Sequence, residues 1–361
     1  MKKSIQNICF FNTTQFWGGG EKWHFEAAEM MADTANNTFF VCDGKGELSK
    51  KLTNKSVTQF HITTSNFSFL NPTKVNKLVK FYIENNIDIV IFNSPKDLKL
   101  GGKAAKKAGV KTIVYRRGIA VEVRKKSLNE NLFKNVVTHF IFNSQSTKSL
   151  LEKNYQTIIA SKKTAIIYNA IEFPKKELTP KSSLPSTPIT IGNAGRLVEQ
   201  KGQHFLIDIT KKLQQLKVDF KIQVAGDGPL FDELDTLIKK EKLTEHIELL
   251  GFVSDMKRFM QGIDILVSTA LWEGFGFVLA EAMVYKKPVL AFNLSSNPEL
   301  VKDGENGFLI PENDTTLFAE KLALLINDKT LRTQLGENAY SFAKTNFEKQ
   351  QQFQKLLDFI F

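Results

Sequence analysis

Two positively charged side chains in one glycine-flanked segment are suited to binding phosphate. Arg196 and Lys201 lie five positions apart in Gly195–Gly202, which reads GRLVEQKG. Arginine makes a forked contact with phosphate oxygens and lysine adds a point charge, so one loop could bring both cations onto a pair of phosphates. Two surface cations on an ordinary loop are the alternative interpretation of this segment.

Two carboxylates, Glu273 and Glu281, lie in a second segment that reads EGFGFVLAEAM and ends at Met283. We predict that Glu281 lies about two helical turns below Glu273, too far for the pair to act together as acid and base. The spacing suits one carboxylate at a reacting group and the other on a ribose diol. The backbone N–H groups of Gly274–Phe277 would face an anionic ligand. A glycine-bent turn followed by a surface glutamate is the alternative interpretation.

A run of three glycines, Gly18-Gly19-Gly20, follows a predicted strand and opens a predicted helix. Glycines let the backbone approach a ligand closely, and the free N–H groups of a helix N-terminus attract anions. Neither this run nor Gly226-Asp227-Gly228 matches the dinucleotide-binding pattern GxGxxG, which disfavours a dinucleotide-dependent oxidoreductase. A flexible strand-to-helix turn is the alternative interpretation of the run.

Short β-type runs alternate with helical patterns along the chain, and this alternation predicts two doubly wound, Rossmann-like α/β domains. Several strands are almost entirely apolar, as expected for parallel sheets covered on both faces. Ligands of such sheets bind beyond the carboxyl ends of the strands, so we expect the site in a cleft across which the two domains face each other. The predicted strands are Ile8–Phe11, Thr38–Cys42, Ile87–Phe92, Thr112–Tyr115, His139–Phe142, Thr164–Ile167, Ile189–Asn193, Phe220–Ala225, Ile247–Leu250, Ile263–Ser268 and Pro288–Phe292. The predicted helices are Glu21–Ala35, Thr73–Asn85, Leu98–Ala108, Ser146–Asn154, Gln203–Leu216, Leu230–Glu241, Val278–Tyr285 and Thr315–Leu325.

The composition sets the domain boundaries and excludes several classes of protein. With 361 residues, 42% of them hydrophobic, the chain is long enough for two globular domains and too apolar for disorder. Four of the ten prolines fall in one stretch, so we predict a first domain over 1–171, a linker over 172–188 and a second domain from 189. The two cysteines, Cys9 and Cys42, form no CxxC or Cys/His cluster, which disfavours a disulfide framework and a zinc site. No apolar stretch approaches the roughly 20 residues of a membrane span.

The positive charge is concentrated in the first half of the chain. Residues up to Ile171 include 26 Lys and Arg against 12 Asp and Glu, whereas the remainder has 23 against 26, for a net charge of +11. Eleven of these basic residues lie between Lys96 and Lys126. A basic surface favours an anionic partner such as a phospholipid membrane, a phosphorylated substrate or nucleic acid. A solvated lysine-rich face is the alternative. The lysines of this segment that recur at helical spacing are Lys99, Lys103, Lys106 and Lys107.

Five motifs in a fixed order resemble those of the retaining glycosyltransferases of family four, which have the GT-B fold. The resemblance covers the second domain, from Ile189 to about Asn346, and extends more weakly to the first. It also implies that the last helical stretch, residues 347–361, packs back on the first domain. The motifs are Gly18-Gly19-Gly20-Glu21, Gly195-Arg196-Leu197 with Lys201-Gly202, Ala225-Gly226-Asp227-Gly228-Pro229, Glu273 with Glu281, and Pro298-Glu299-Leu300-Val301 followed by Asp303-Gly304-Glu305-Asn306-Gly307.

The resemblance implies a role for each matching position. Arg196 and Lys201 would hold the diphosphate of a nucleotide-sugar and stabilise the charge on the leaving group, while Glu273 would contact the donor sugar. Glu281 would bind the ribose hydroxyls. Because fixed cations would balance the leaving phosphate and no DxD-type carboxylate pair is present, we expect neither a metal ion nor a cofactor. The other expected donor-binding residues are Gly19, Gly20, Gly226, Gly228, Phe252, Val253, Phe275, Gly276 and Phe277.

Two stretches depart from the family pattern. Members often carry a histidine after the middle strands of the first domain, near the donor sugar. Here the corresponding stretch, VYRRG, has none, and we expect Arg116 or Arg117 to contact the acceptor or a phosphate. The Gly-Gly pair common before Glu299 is replaced by Ser295-Ser296-Asn297, which predicts an altered donor-sugar pocket.

These features together predict a glycosyltransferase. It would move a sugar from a nucleoside-diphosphate sugar, expected to be a UDP-sugar, to a glycan or glycolipid acceptor with retention, in bacterial surface-polysaccharide or lipopolysaccharide synthesis. In similar enzymes the first domain takes an acceptor that is often lipid-linked, so the expected location is the cytoplasm, at the inner face of the cytoplasmic membrane. A soluble acceptor is the alternative there. A nucleotide-sugar epimerase or phosphorylase on the same fold is the alternative activity. Nucleic acid is not expected as a partner, because no RNA- or DNA-binding signature accompanies the basic segment.

Overall fold

The chain divides into two compact units. A computed structural model describes residues 6–34, 37–174 and 188–361. One unit contains the chain up to Ala170 together with Gln352–Phe361, and the other contains Ile171–Gln351. The Ile171 N–H donates a hydrogen bond to the Phe347 carbonyl over 2.8 Å, which ties the start of the second unit to its end. Most of the predicted linker, residues 172–188, lies outside the described residues.

A seven-stranded parallel sheet forms the centre of the first unit. Its strands are β1 (Asn7–Phe11), β2 (Asn37–Cys42), β3 (Thr58–His61), β4 (Ile89–Phe92), β5 (Thr112–Arg117), β6 (His139–Phe142) and β7 (Lys163–Ile166). The strand order is β3-β2-β1-β4-β5-β6-β7 and every neighbouring pair is parallel, so the direction of winding reverses between β1 and β4. The helices before the second unit are α1 (Gly19–Ala32), α2 (Glu47–Leu52), α3 (Pro72–Glu84), α4 (Pro95–Asp97), α5 (Lys103–Lys107), α6 (Ser127–Asn135) and α7 (Gln145–Ala160).

Helices cover both faces of this sheet, which explains why its strands are almost entirely apolar. Successive residues of β1 point to opposite faces, so Ile8 and Phe10 belong to one core, and Cys9 and Phe11 to the other. Helical side chains complete each core. Those of the C-terminal helix belong to the core that contains Ile8 and Phe10.

The predicted single helix Leu98–Ala108 is instead interrupted. A π-helical segment, Leu98–Gly102, joins α4 to α5. A Cβ atom on Gly101 would lie 2.5 Å from the Phe92 ring and 2.7 Å from the Phe11 ring, so only glycine lets this segment pack so closely on the sheet. The π-turn changes the helical phase, and the four lysines at helical spacing therefore do not form one regular α-helical row.

A six-stranded parallel sheet forms the second unit. Its strands are β8 (Ile189–Ala194), β9 (Phe220–Ala225), β10 (Ile247–Gly251), β11 (Ile265–Ser268), β12 (Val289–Phe292) and β13 (Gly307–Ile310). The order β10-β9-β8-β11-β12-β13 reverses its winding between β8 and β11, and every pair is parallel. The prediction of two parallel α/β sheets is confirmed. The remaining helices are α8 (Phe205–Gln215), α9 (Phe231–Lys240), α10 (Met256–Gly262), α11 (Phe277–Val284), α12 (Asn297–Leu300), α13 (Thr315–Asn327), α14 (Lys329–Phe347) and α15 (Lys349–Ile360).

Helix α15 is divided between the two units, because residues from Gln352 onward cluster with the first unit. Its buried Leu356 and Ile360 belong to the same apolar core as Ile8 and Phe10 of β1. The C-terminal residues are therefore part of the hydrophobic core of the first unit.

Candidate functional site

A cavity of about 760 Å³ opens in the second unit, where the strand order reverses. The segments that follow β8, β9, β10 and β11 all contribute to its lining, so it lies at the carboxyl ends of the strands, where doubly wound sheets bind ligands. The predicted site residues in its lining are Arg196, Lys201, Gly226, Gly228, Phe252, Val253, Glu273, Phe277 and Glu281. The other lining residues are Ala194, Gly195, Ala225, Asp227, Met256 and Val278.

Gly226 and Gly228 let the loop after β9 touch the loop that carries Arg196. A Cβ atom on Gly226 would lie 1.9 Å from the Gly195 carbonyl oxygen, and one on Gly228 would lie 2.4 Å from the Leu197 carbonyl oxygen. The Leu197 N–H also donates to the Asp227 carbonyl over 2.9 Å. The two glycines therefore fix the position of the Arg196 loop in addition to lining the cavity.

Lys201 and Glu273 form an ion pair in the wall of the cavity. The Lys201 ammonium group donates to a Glu273 carboxylate oxygen, and each side chain is only about a fifth exposed, at 22% and 21%. Lys201 is held by its backbone, since its carbonyl accepts a hydrogen bond from the Thr269 hydroxyl over 3.1 Å. The next residue, Gly202, has a φ of +60°, and a Cβ there would lie 2.3 Å from the Thr269 carbonyl oxygen. The pair thus presents one cation and one carboxylate to a ligand from a fixed backbone.

Two serine hydroxyls hold the backbone of Glu273. The Ser295 hydroxyl accepts from the Glu273 N–H over 3.2 Å and donates to the Glu273 carbonyl over 2.7 Å. The Ser296 hydroxyl donates to the same carbonyl over 3.0 Å. In the sequence these serines stand out only as a departure from the family pattern, because nothing there places them beside a residue 22 positions earlier.

The interval between the two glutamates is only partly helical, so the expectation of two helical turns is wrong. Helix α11 begins at Phe277, after Gly276, whose φ of +84° is left-handed. Phe275 is almost fully buried, and its ring packs edge-on against Phe277 and Phe347. Phe275 and Gly276 therefore shape the turn between the carboxylates and are not themselves part of the cavity lining.

In the first unit, the predicted residues lie at the carboxyl ends of β1 and β5, next to the reversal of winding. Helix α1 begins at Gly19. A Cβ atom on Gly20 would lie 2.3 Å from the Asn93 amide nitrogen, so this turn packs closely on the residue that follows β4. The Asn93 amide oxygen in turn accepts from the Arg116 guanidinium over 2.8 Å.

Arg116 is a buried cation with neutral partners. Its side chain is 1% exposed, stacks 4.3 Å from the centre of the Trp23 ring and donates over 2.5 Å to the Asn169 amide oxygen. Its Nε atom is buried and has no hydrogen-bond partner among the described residues. Burial lowers the pKa of Arg116 to about 9, against the opposing charge of Glu21. A positive charge is therefore held next to the glycine turn without a carboxylate in direct contact.

Arg117 and His24 have different environments. Arg117 is 5% exposed and donates to the Val121 carbonyl, away from the Asn93 contact, because consecutive residues of β5 point to opposite faces. His24 is fully buried, and burial together with the charge of Arg116 lowers its pKa well below the usual range. His24 is therefore a neutral aromatic residue, packed edge-on against Phe10 and Phe40.

Asp97, which sequence analysis did not single out, anchors the segment that leads into the glycine turn. Its carboxylate accepts from the Thr13 N–H over 3.1 Å, from the Thr13 hydroxyl over 2.5 Å and from the Ser94 hydroxyl over 2.8 Å. Burial raises the pKa of Asp97, and these hydrogen bonds act in the opposite direction. The lysine-rich composition around Asp97 gave no signal of this buried role.

No group of three or more His, Cys, Asp or Glu side chains within residues 6–34, 37–174 and 188–361 is arranged to hold a metal ion. None of the helices in these ranges is both long and apolar enough to cross a membrane.

The two parallel sheets and the cavity at the strand ends define a protein of the GT-B class. Solved structures share this fold over nearly the whole chain. The Anabaena HepE structure in complex with UDP and glucose superimposes with a TM-score of 0.80 at 24% identity, covering 98% of both chains. The apo lipopolysaccharide outer core galactosyltransferase WaaB superimposes with a TM-score of 0.79 at 20% identity, covering 99% of both chains.

The family follows from the sequence comparisons. Residues 17–173 match the family described as Glycosyltransferase Family 4, and residues 174–342 match Glycosyl transferases group 1. The chain belongs to glycosyltransferase family four, as its motifs predicted.

Three curated relatives show how far the similarity extends. An uncharacterized glycosyltransferase of Methanocaldococcus jannaschii is 40% identical over 152 residues, which are 42% of each chain. The poly(ribitol-phosphate) alpha-N-acetylglucosaminyltransferase of Staphylococcus aureus is 27% identical over 48% of this chain and 35% of its own. The UDP-Gal:alpha-D-GlcNAc-diphosphoundecaprenol alpha-1,3-galactosyltransferase of Escherichia coli is 26% identical over 335 residues, 87% of this chain and 86% of its own. The matches therefore span less than half of the first two relatives and most of the third.

Proposed function

We propose that this protein transfers a sugar from a UDP-sugar to a glycan or glycolipid acceptor, with retention of configuration, in bacterial surface-polysaccharide or lipopolysaccharide synthesis. The observation that carries the proposal is the cavity of the second unit, to which the loop after β8 brings Arg196 and Lys201, the loop after β11 brings Glu273, and helix α11 brings Glu281. The UDP complexes of HepE support the donor class, and the named functions of the E. coli and S. aureus relatives support the acceptor class. Retention is proposed from membership of family four.

The residues of the cavity suit the departure of a nucleoside diphosphate. When the bond between the sugar and the β-phosphate breaks, the electron pair stays on a phosphate oxygen, and Arg196 and Lys201 would stabilise that negative charge. A bound diphosphate would compete with Glu273 for Lys201, which would free the carboxylate to accept hydrogen bonds from the hydroxyls of the donor sugar. We place the ribose hydroxyls at Glu281, across the cavity from the phosphates.

Apolar and glycine positions complete the proposed donor site. Phe252 is 80% exposed and, with Val253, offers a surface for the base beside Gly226 and Gly228. The backbone of the Phe275–Phe277 turn would contact the donor sugar at Phe277, the residue of this turn that lines the cavity.

In the first unit, Gly19 and Gly20 are proposed to contact a phosphate, and Arg116 or Arg117 a phosphate or the acceptor. Arg116 is supported by its neutral hydrogen-bond partners, Asn93 and Asn169, which leave its guanidinium without a carboxylate in direct contact beside Gly20.

Removing either cation tests the proposal. Arg196→Ala and Lys201→Ala should each weaken UDP binding in calorimetry and reduce turnover of a labelled UDP-sugar, measured with a bacterial glycolipid extract as acceptor, by ~2–4 kcal/mol of transition-state stabilisation. Lys211→Ala is the matched control, because Lys211 pairs with Glu241 outside the cavity. Activity should be unchanged when EDTA is added, because the proposed reaction needs no metal ion.

Normal UDP binding with full activity in both variants would overturn the site assignment. A strict requirement for Mg²⁺ or Mn²⁺ would contradict metal independence while leaving the transfer reaction intact.

A further inference from the structure

Two large apolar side chains project from a surface turn of the first unit. Phe67 is 73% exposed and Leu70 is 65% exposed. The turn between them is fixed: the Leu70 N–H donates to the Phe67 carbonyl over 3.0 Å, and the buried Ser68 hydroxyl accepts from the Ser65 N–H over 2.9 Å. Phe69 packs inward against the core. The alternation of inward and outward residues thus holds Phe67 and Leu70 in solvent.

Hydrogen bonds hold three lysines near this turn. The Lys103 ammonium group donates to the Phe69 carbonyl over 3.3 Å, and the Lys74 ammonium group donates to the Thr63 carbonyl over 2.7 Å. Lys107, one helical turn beyond Lys103, donates to a side chain of α3 over 3.5 Å. Helix α3 and the segment containing α5 both pack beside the turn.

These three lysines are available to an anionic partner at the surface. In the described part of the chain, no Asp or Glu forms an ion pair with Lys74, Lys103 or Lys107. Their partners are a backbone carbonyl or a neutral amide, so an anion could approach all three without displacing a carboxylate.

We propose that Phe67, Leu70, Lys74, Lys103 and Lys107 form a docking surface for an anionic phospholipid membrane. Aromatic and aliphatic side chains enter the interfacial region of a bilayer, and nearby lysines bind acidic headgroups. Stable membrane association generally needs two such signals together, and this surface supplies both: two exposed apolar side chains and three nearby lysines. The charge complementarity selects anionic lipid over a neutral bilayer or an apolar protein groove.

The docking surface goes beyond the proposed transfer reaction, because it concerns where the protein binds, namely at an anionic membrane surface. It shares no residue with the donor cavity. Vesicle binding can therefore be measured without any donor, and UDP binding can be measured without any vesicle, so failure of one proposal is distinguishable from failure of the other.

Vesicle co-sedimentation of the full-length protein tests the charge. We expect binding to phosphatidylcholine vesicles that contain phosphatidylglycerol, little binding to pure phosphatidylcholine, and release at high salt. Lys103→Glu/Lys107→Glu should weaken binding by about tenfold or more. Lys329→Glu/Lys344→Glu is the matched control, because it makes the same charge change in the second unit. This control variant should bind anionic vesicles more tightly than the Lys103/Lys107 variant.

A fluorescent label at position 67 tests whether this side chain enters the bilayer. Cys9 and Cys42 are both buried, so an environment-sensitive fluorophore on a Phe67→Cys variant should react at that position alone. Its emission should shift to the blue with anionic vesicles, whereas the same label on Leu216→Cys, an exposed apolar position of the second unit, should not shift. Phe67→Ser/Leu70→Ser should bind anionic vesicles more weakly and bind UDP normally.

Three results would each overturn the docking surface. These are no binding to either kind of vesicle, equal binding to both kinds, and binding in which neither the Lys103/Lys107 variant nor the label at position 67 differs from its control.

Discussion

Two consecutive serines explain how this chain positions Glu273 without the glycine pair that its family commonly has there. Ser295 adopts a φ of +54°, a left-handed conformation that costs a non-glycine residue about 1 kcal/mol. Its hydroxyl meets both the N–H and the carbonyl of Glu273, and Ser296 adds a third hydrogen bond. The hydroxyls therefore offset the backbone strain and fix the residue that pairs with Lys201.

Replacing Ser295 separates these two effects. Ser295→Gly relieves the strain and Ser295→Ala keeps it, but both remove the hydroxyl. We expect kcat to fall roughly tenfold to a hundredfold in both variants, because a small displacement of Glu273 disturbs contacts with the donor sugar, while the Kd for UDP stays near the wild-type value. Steady-state kinetics and calorimetry measure the two quantities.

Ser341→Ala, an exposed serine on α14, is the matched control for the serine variants. Full kcat in both Ser295 variants would show that Glu273 needs no support from this hydroxyl.

The charged residues of the cavity can be recognised in the sequence, but the residues that hold loops in place by hydrogen bonds cannot. Arg196, Lys201 and Glu273 stand in motifs whose residue types and spacing suggest their chemistry. The contacts of Ser295 with Glu273 and of Asp97 with Thr13 join residues 22 and 84 positions apart. Such contacts follow from the packing of loops at the strand ends, which a single sequence does not encode locally.

At the scale of elements, apolar runs predicted most central strands, and the misses have physical reasons. Strand β3, TQFH, lies at the sheet edge with no fully buried residue, so it lacks an apolar signal. The π-turn before α5 depends on the close packing of Gly101 against Phe11 and Phe92, which is invisible in a helical pattern. Helix α11 is predicted to within one residue: it begins at Phe277 instead of Val278, directly after the left-handed Gly276.

The C-terminal helix provides a prediction at this scale. Leu356 is 2% exposed in the core that contains Ile8 and Phe10, so Leu356→Ala should destabilise the first unit by ~2–5 kcal/mol. Denaturant unfolding followed by tryptophan fluorescence in a Trp272→Phe background measures this, because Trp17 and Trp23, the two remaining tryptophans, belong to the first unit. Lys355→Ala, on the exposed side of the same helix, should have little effect. An unchanged transition in Leu356→Ala would show that this helix does not stabilise the first unit.

At the scale of the whole molecule, the proposed donor and membrane sites fall in different units. The excess of Lys and Arg lies in the first half of the chain, which carries the docking surface, whereas every residue lining the donor cavity belongs to the second unit. The sequence indicated this separation through its charge asymmetry. The sequence places Phe67 and Phe69 in a polar loop but leaves open whether they are exposed or packed beneath it. The structure shows that Phe67 and Leu70 are exposed and that Phe69 packs inward.

Because the cavity is built by one unit alone, UDP should stabilise that unit selectively. A ligand at about a hundred times its Kd adds ~2.7 kcal/mol to the stability of the state that binds it. In a Trp17→Phe/Trp23→Phe background, Trp272 reports on the second unit, and its thermal or denaturant transition should move up with UDP concentration. In the Trp272→Phe background, the first-unit transition should move much less. Lys201→Ala should suppress the UDP-dependent shift and Lys211→Ala should retain it. A first-unit shift as large as that of the second unit would show that the residues lining this cavity are not the main binding site for UDP.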